Sequence, residues 1–249
     1  MLPLRGALLL LAGLVGCALS ATAAAGQIYV MESSVAGIRV GSALELSAAI
    51  SIPAGGHIRA VLPSGKTQTI NGPYAGTVAD LAKGQPINEG VTAWIKNVLR
   101  TGGATEATPG ATRGIARPAE KAEKPRAAFS WSAIPVANGT VCVEKGAKLT
   151  LVRVASPNAE RATLIDGGNG QQAELNWEGG RDTADWPASL TPRNAVTYEV
   201  LAPDRPRRQI TLRVLEGLPA EDDLLVELNR LGCSSQFEAW VRGKLAAGK

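Results

Sequence analysis

In residues 57–66, HIRAVLPSGK, a strand pattern runs straight into a turn, and this junction limits what the chain can fold into more than any other stretch. Ile58, Ala60 and Leu62 alternate with His57, Arg59 and Val61, the period of a strand with one buried face. In Leu62-Pro63-Ser64-Gly65 the proline presets φ at the second turn position, and the glycine sits where left-handed backbone is favoured. Residues 66–70 are therefore expected to return antiparallel. Gly72-Pro73 closes the unit. With 28 glycines and 15 prolines in 249 residues, turn formers recur at the spacing of many short strands, not of long helices.

Residues 28–31 and 44–46 add two further strands, separated by Ala36-Gly37 and Gly41-Ser42. A helix follows Asn88, a good N-cap, because Val91, Trp94, Ile95, Val98 and Leu99 fall on one face, and Gly102 is placed to stop it. That apolar stripe fits packing within its own domain or docking of a partner. Residues 27–100 thus read as one small β domain with a helix. Residues 101–126 hold few large apolar side chains and much Ala, Thr, Gly, Pro and charge, the composition of a partly extended linker.

Residues 127–249 offer six more strands, at 141–144, 149–154, 161–165, 172–177, 196–201 and 209–215. Ala173, Leu175 and Trp177 oppose Gln172, Glu174 and Asn176, and Ile210, Leu212 and Val214 oppose Thr211 and Arg213. Repeated short strands of this kind predict a β-sandwich-like domain. Its end is helical: Glu221, Asp222 and Asp223 suit a helix N-terminus, Leu224, Leu225, Leu228 and Leu231 form an apolar face, and Gly232 stops the helix. Ser234 or Ser235 is expected to cap a last helix carrying Phe237, Trp240, Val241 and Leu245, giving a helical hairpin. The fold class expected is mainly β with a few helices, in two β-rich modules.

The N-terminus carries Arg5, an apolar run over residues 6–19 and small residues at 21–25, the form of an export signal over residues 1–25. Within it, Leu14-Val15-Gly16-Cys17 resembles a bacterial lipobox, which would leave Cys17 lipidated. An ordinary signal cut near Ala25 is the competing reading, and an uncleaved anchor a third, which the small-residue end disfavours. Either way the mature chain is expected in the periplasm or at the outer membrane, touching a membrane only through that N-terminal lipid or signal. Export places Cys142 and Cys233 in an oxidising compartment as an even pair, so a disulfide between them is expected.

The formal charge of +4, and the scatter of the basic residues, do not fit a nucleic-acid partner. Ser64-Gly65-Lys66-Thr67 carries the end of a phosphate-binding loop, but Ala60 stands where the first glycine belongs and an alternating strand follows where a helix should. Asp166-Gly167-Gly168-Asn169-Gly170 reads as a hairpin turn. His57 is the single histidine and no metal-ligand spacing surrounds it, so neither a metal nor a cofactor is expected. Glu221-Asp222 and the Asp182, Asp185 pair read as a helix start and a loop. Arg205, Arg207 and Arg208 cluster about Pro206 as a basic hairpin tip, a candidate contact for an anionic partner, with a solvated turn as the plainer reading.

Ile50-Ser-Ile-Pro-Ala-Gly, Ala60-Val-Leu-Pro-Ser-Gly-Lys and Gly72-Pro-Tyr resemble the extracytoplasmic β domain of FecR-type bacterial sensor proteins, over residues 28–76. The resemblance implies a β-rich periplasmic module that receives a signal from a partner. In sensor members of that family a transmembrane segment and a cytoplasmic part relay the signal; this chain is expected to need another protein for that step. Phe129-Ser-Trp131 followed by strands resembles the opening of an immunoglobulin-like module. The function expected is therefore non-catalytic: a periplasmic or lipid-anchored envelope protein that binds a protein partner in assembly or sensing. The alternative is a cell-envelope glycan hydrolase using two carboxylates, whose acids need not be close in sequence.

Overall fold

The computed structural model describes residues 26–101 and 127–248. The export segment with Cys17, and the linker apart from Thr101, lie outside the described residues. The chain is mainly β, with fourteen strands in four sheets and four helices among the described residues.

In the first half, β1 (Gln27–Ser33), β2 (Ala43–Glu45), β4 (His57–Val61) and β5 (Thr67–Asn71) form an antiparallel sheet in the order β2-β1-β4-β5. The turn expected after Leu62 is present: Gly65 donates its N–H to the Leu62 carbonyl at 2.8 Å, and Leu62 donates to Lys66 at 2.9 Å. Gly65 has φ +86°, and a Cβ there would lie 2.9 Å from Val91 Cγ2, so glycine is required for both backbone and space. Two strands absent from the sequence reading, β3 (Ala49–Ile52) and β6 (Tyr74–Thr77), pair as a small second sheet. They escaped notice because each is only four residues long and β6 reads Tyr-Ala-Gly-Thr, with no apolar alternation. A short helix, α1 (Val78–Ala82), begins at a Thr77–Asp80 capping box. The helix α2 (Glu89–Thr101) follows, with the Val91 N–H bonded to the Asn88 side chain at 3.1 Å.

The four-stranded sheet is covered on both faces, because its strands alternate between two apolar clusters. Ile28, Ile58, Ala60 and Ile70 meet Ile50, Ile52 and Val78 on one side. Tyr29, Met31 and Val61 project the other way, toward α2. This explains why Ile28, Tyr29, Val30 and Met31 are all buried in succession where a half-exposed strand would alternate.

In the second half, β8 (Gly139–Glu144), β10 (Glu160–Asp166), β11 (Gln172–Trp177), β13 (Thr197–Leu201) and β14 (Arg208–Leu215) form a sheet in the order β11-β10-β13-β14-β8. The strands β7 (Ala133–Pro135), β9 (Thr150–Val152) and β12 (Thr183–Asp185) form another, ordered β12-β9-β7. The two sheets share one core, with Ile134, Leu151 and Ala184 on one side and Val141, Leu164, Leu175, Tyr198 and Leu212 on the other, a sandwich. The three-residue β7 and β12 are too short to carry a readable period.

The chain ends in α3 (Leu224–Leu231) and α4 (Ser234–Ala247). Gly232 stops α3 in left-handed backbone at φ 77°. The cap of α4 is Cys233, one residue before the expected serine. Leu225, Leu228, Phe237 and Val241 from this pair enter the same cluster as Tyr29, Met31, Val61, Val91, Ile95 and Val98 from the first half. Trp94 of α2 meets Phe237 edge-on at 5.1 Å between ring centres. The helical pair is thus packed against both halves of the chain.

It is also tied to the sandwich. Cys142 of β8 and Cys233 form a disulfide, with their Cα atoms 5.8 Å apart. Beside it the buried Gln236 side chain accepts the Cys142 N–H at 2.7 Å and donates to the Cys142 carbonyl at 2.6 Å and to the Ser130 carbonyl at 2.8 Å. One amide side chain therefore stands in for a neighbouring strand along the β8 edge. Gln236→Leu, of similar size, would leave the Cys142 amide and carbonyl buried without partners and is expected to destabilise by about 2–4 kcal/mol. Chemical denaturation of the oxidised protein measures this, and a loss below about 0.5 kcal/mol would show that water replaces the amide.

Candidate functional site

The turn between β4 and β5 leans against the helices, and where it does so a groove opens. Its walls are Ser64 and Lys66 of the turn, residues 85–89 leading into α2, and Val226 of α3, around a volume of about 810 Å³. Two hydrogen bonds set its shape: Asn88 donates its N–H to the Pro63 carbonyl at 2.7 Å, and Ser64 Oγ donates to Gln85 Oε1 at 2.6 Å. Ile87 stands in the wall 56% exposed, beside Pro86. It occupies the position before the helix N-cap, where an apolar residue ordinarily packs on the fourth helical residue; here that residue is Thr92, which offers no apolar surface. That mismatch was the signal in the sequence that Ile87 would be left facing solvent.

Two of the groove's polar side chains are already paired. Ser64 spends its hydroxyl hydrogen on Gln85, and Lys66 pairs with Asp223 at 2.9 Å. What remains is an apolar wall with an exposed carboxylate at Glu89, a surface suited to holding an apolar side chain of a partner.

An ionic seam joins the two halves. Arg59 on β4 meets Glu221 at 3.0 Å and Asp222 at 3.4 Å, and Lys244 on α4 pairs with Glu32 on β1. The hydrogen bond from Lys244 holds the Glu32 carboxyl below its ordinary range. The acids at 221–223, expected to serve the helix N-terminus, are thus engaged with the first half of the chain. Asp223, the N-cap of α3, makes no capping hydrogen bond with its side chain.

The other candidate residues fall elsewhere. His57 lies on β4 with Nδ1 3.3 Å from Ser34 Oγ, but that hydroxyl also accepts the His57 N–H at 2.8 Å, so the pair fastens strand to loop. Arg205 pairs with Glu160 at 2.7 Å and Arg207 with Glu199 at 3.2 Å, while Arg208 is the first residue of β14. The three do not converge on the groove. Among the described residues no cluster of His, Cys, Asp and Glu suits a metal ion, and no helix is long and apolar enough to cross a membrane.

Asp166 is the buried carboxylate among the described residues. It sits at the start of the glycine-rich hairpin, where Arg193 donates to it through Nη2 at 2.5 Å and Nε at 3.2 Å, and the Gly168 N–H bonds it at 2.8 Å. Burial pushes its pKa up, but the Arg193 and Gly168 bonds outweigh this and hold it below the ordinary aspartate range. Both oxygens are occupied in the folded protein.

Comparison with protein families, with curated proteins and with solved structures returns no match.

Because the folded state holds Asp166 at a lowered pKa, the unfolded state takes up the proton first. The stability this gives is complete above the unfolded pKa of about 4 and is lost as pH falls below it. Asp166→Asn is expected to cost about 2 kcal/mol at neutral pH and to flatten the stability profile below about pH 4. Denaturant melts from neutral to acid pH check this, and an unchanged acid slope would contradict it.

Proposed function

We propose that this chain is a non-catalytic bacterial cell-envelope protein, periplasmic or held at the outer membrane through Cys17, that binds a protein partner in assembly or sensing. The observation that carries the reading is Ile87, a large apolar side chain more than half exposed in the wall of a groove whose backbone is fixed by the turn and two helices. A rigid scaffold presenting an apolar anchor amid polar neighbours is the form of a protein-binding hot spot. The disulfide supports an exported location, since such bonds persist in oxidising compartments. The state of Asp166 favours binding over the two-carboxylate hydrolase, which would need one acid free to protonate a glycosidic oxygen beside a second carboxylate. A sensing role, as the FecR resemblance implies, would place the relay step in another protein.

A photo-crosslinking residue in place of Ile87 is expected to give one discrete adduct with an envelope protein in cells. Ile87→Asp should reduce recovery of that partner at least about tenfold without lowering the melting temperature. No adduct, or unchanged recovery with Ile87→Asp, would overturn the proposal.

A further inference from the structure

We propose that the outer edge of β5 pairs antiparallel with the same edge of a second copy of this chain. The inference stands apart from the groove and does not rest on the binding role given to Ile87. β5 is the last strand of its sheet, and its register against β4 fixes which backbone groups point outward. Leu62 and Lys66 form a hydrogen-bonded pair across the turn, so Ala60 with Gln68 and Ile58 with Ile70 are the next bonded pairs. The N–H and C=O groups of Thr67, Thr69 and Asn71 then face away from β4. Asp222 already takes the Thr67 N–H at 2.8 Å, and beyond Asn71 the chain turns back, with Gly72 bonded to the Gly56 carbonyl at 2.9 Å. Thr69 and Asn71 remain, each offering one donor and one acceptor, with exposed side chains and no partner among the described residues.

This short open stretch matches itself. With a two-fold axis through Ile70, Thr69 of one copy lies opposite Asn71 of the other, and four backbone hydrogen bonds form from the groups left free. A longer foreign strand would meet Asp222 at one end and the departing Gly72-Pro73 at the other. The strand sequence TQTIN carries no charge, so self-pairing sets no like charges opposite one another. The other long edges are guarded: β8 by Gln236, and β11 by the exposed Glu174 paired with Arg161 at 3.5 Å. β2, β7 and β12 have three residues each, and β3 and β6, the two edges of the small second sheet, have four. Beyond Thr67, which Asp222 covers, β5 has no charge, proline or cover.

Sedimentation velocity on the exported, purified full chain should show a reversible dimer that grows as the concentration rises to roughly 100 μM, the behaviour of a small interface. Thr69→Pro removes an outward N–H and no bond to β4, so it should weaken association at least about tenfold, while Thr69→Val, which keeps the N–H, should not. A second measurement does not depend on how proline is tolerated. A Thr69→Cys chain mixed with an Asn71→Cys chain should form an intermolecular disulfide that neither chain forms alone. A monomer at every concentration, a dimer indifferent to Thr69→Pro in a folded variant, or equal cross-linking in the unmixed chains would each overturn the proposal.

Discussion

The burial of α3 and α4 between two sheets is the interaction on which the rest of the structure depends. Helices of 8 and 14 residues are too short to hold together on their own in water, so their stability must come from the faces they bury. Those faces meet Tyr29, Met31 and Val61 on one side and the outer face of β8, at Cys142, on the other. Each large side chain fully buried there contributes about 1.5–3 kcal/mol, and the cluster contains more than a dozen buried residues drawn from both halves of the chain. The Cys142–Cys233 bond and Gln236 then fix the pair against the sandwich, and the Arg59 and Lys244 ion pairs flank it on the side of the first sheet.

This arrangement explains where the groove lies. Val226 reaches the groove because α3 is drawn against the first sheet, and the turn at Gly65 can approach because its missing Cβ leaves room for Val91 and Val226. The walls around Ile87 therefore draw on elements from both ends of the chain. The disulfide belongs to the same chain of support: it joins the α3–α4 connection to β8, whose alternate residues Val141 and Val143 lie in the sandwich core.

Local pattern and turn chemistry made much of this legible in the sequence. The β4–β5 hairpin followed from the alternation around Ile58 and from Pro63 and Gly65, and α2 from the stripe beginning at Val91. The Cys142–Cys233 pairing followed from counting cysteines in a chain expected to be exported. What local pattern could not reveal was long-range partnership. Asp222 and Glu221 looked like helix-start acids because nothing nearby in sequence marks Arg59, about 160 residues away, as their partner. Gln236 carries no local mark of its role as a surrogate strand, which depends on β8 lying beside it. The groove was missed because it is assembled from a turn, a loop and α3, although Ile87 before a polar Thr92 offered a hint.

If the helical pair is the shared core of the two β modules, the protein should unfold as one unit. Differential scanning calorimetry of the oxidised protein measures this most directly. The account predicts a single transition whose calorimetric and van't Hoff enthalpies agree. Two separated transitions, one for the first sheet with α2 and another for the sandwich with its helices, would contradict it.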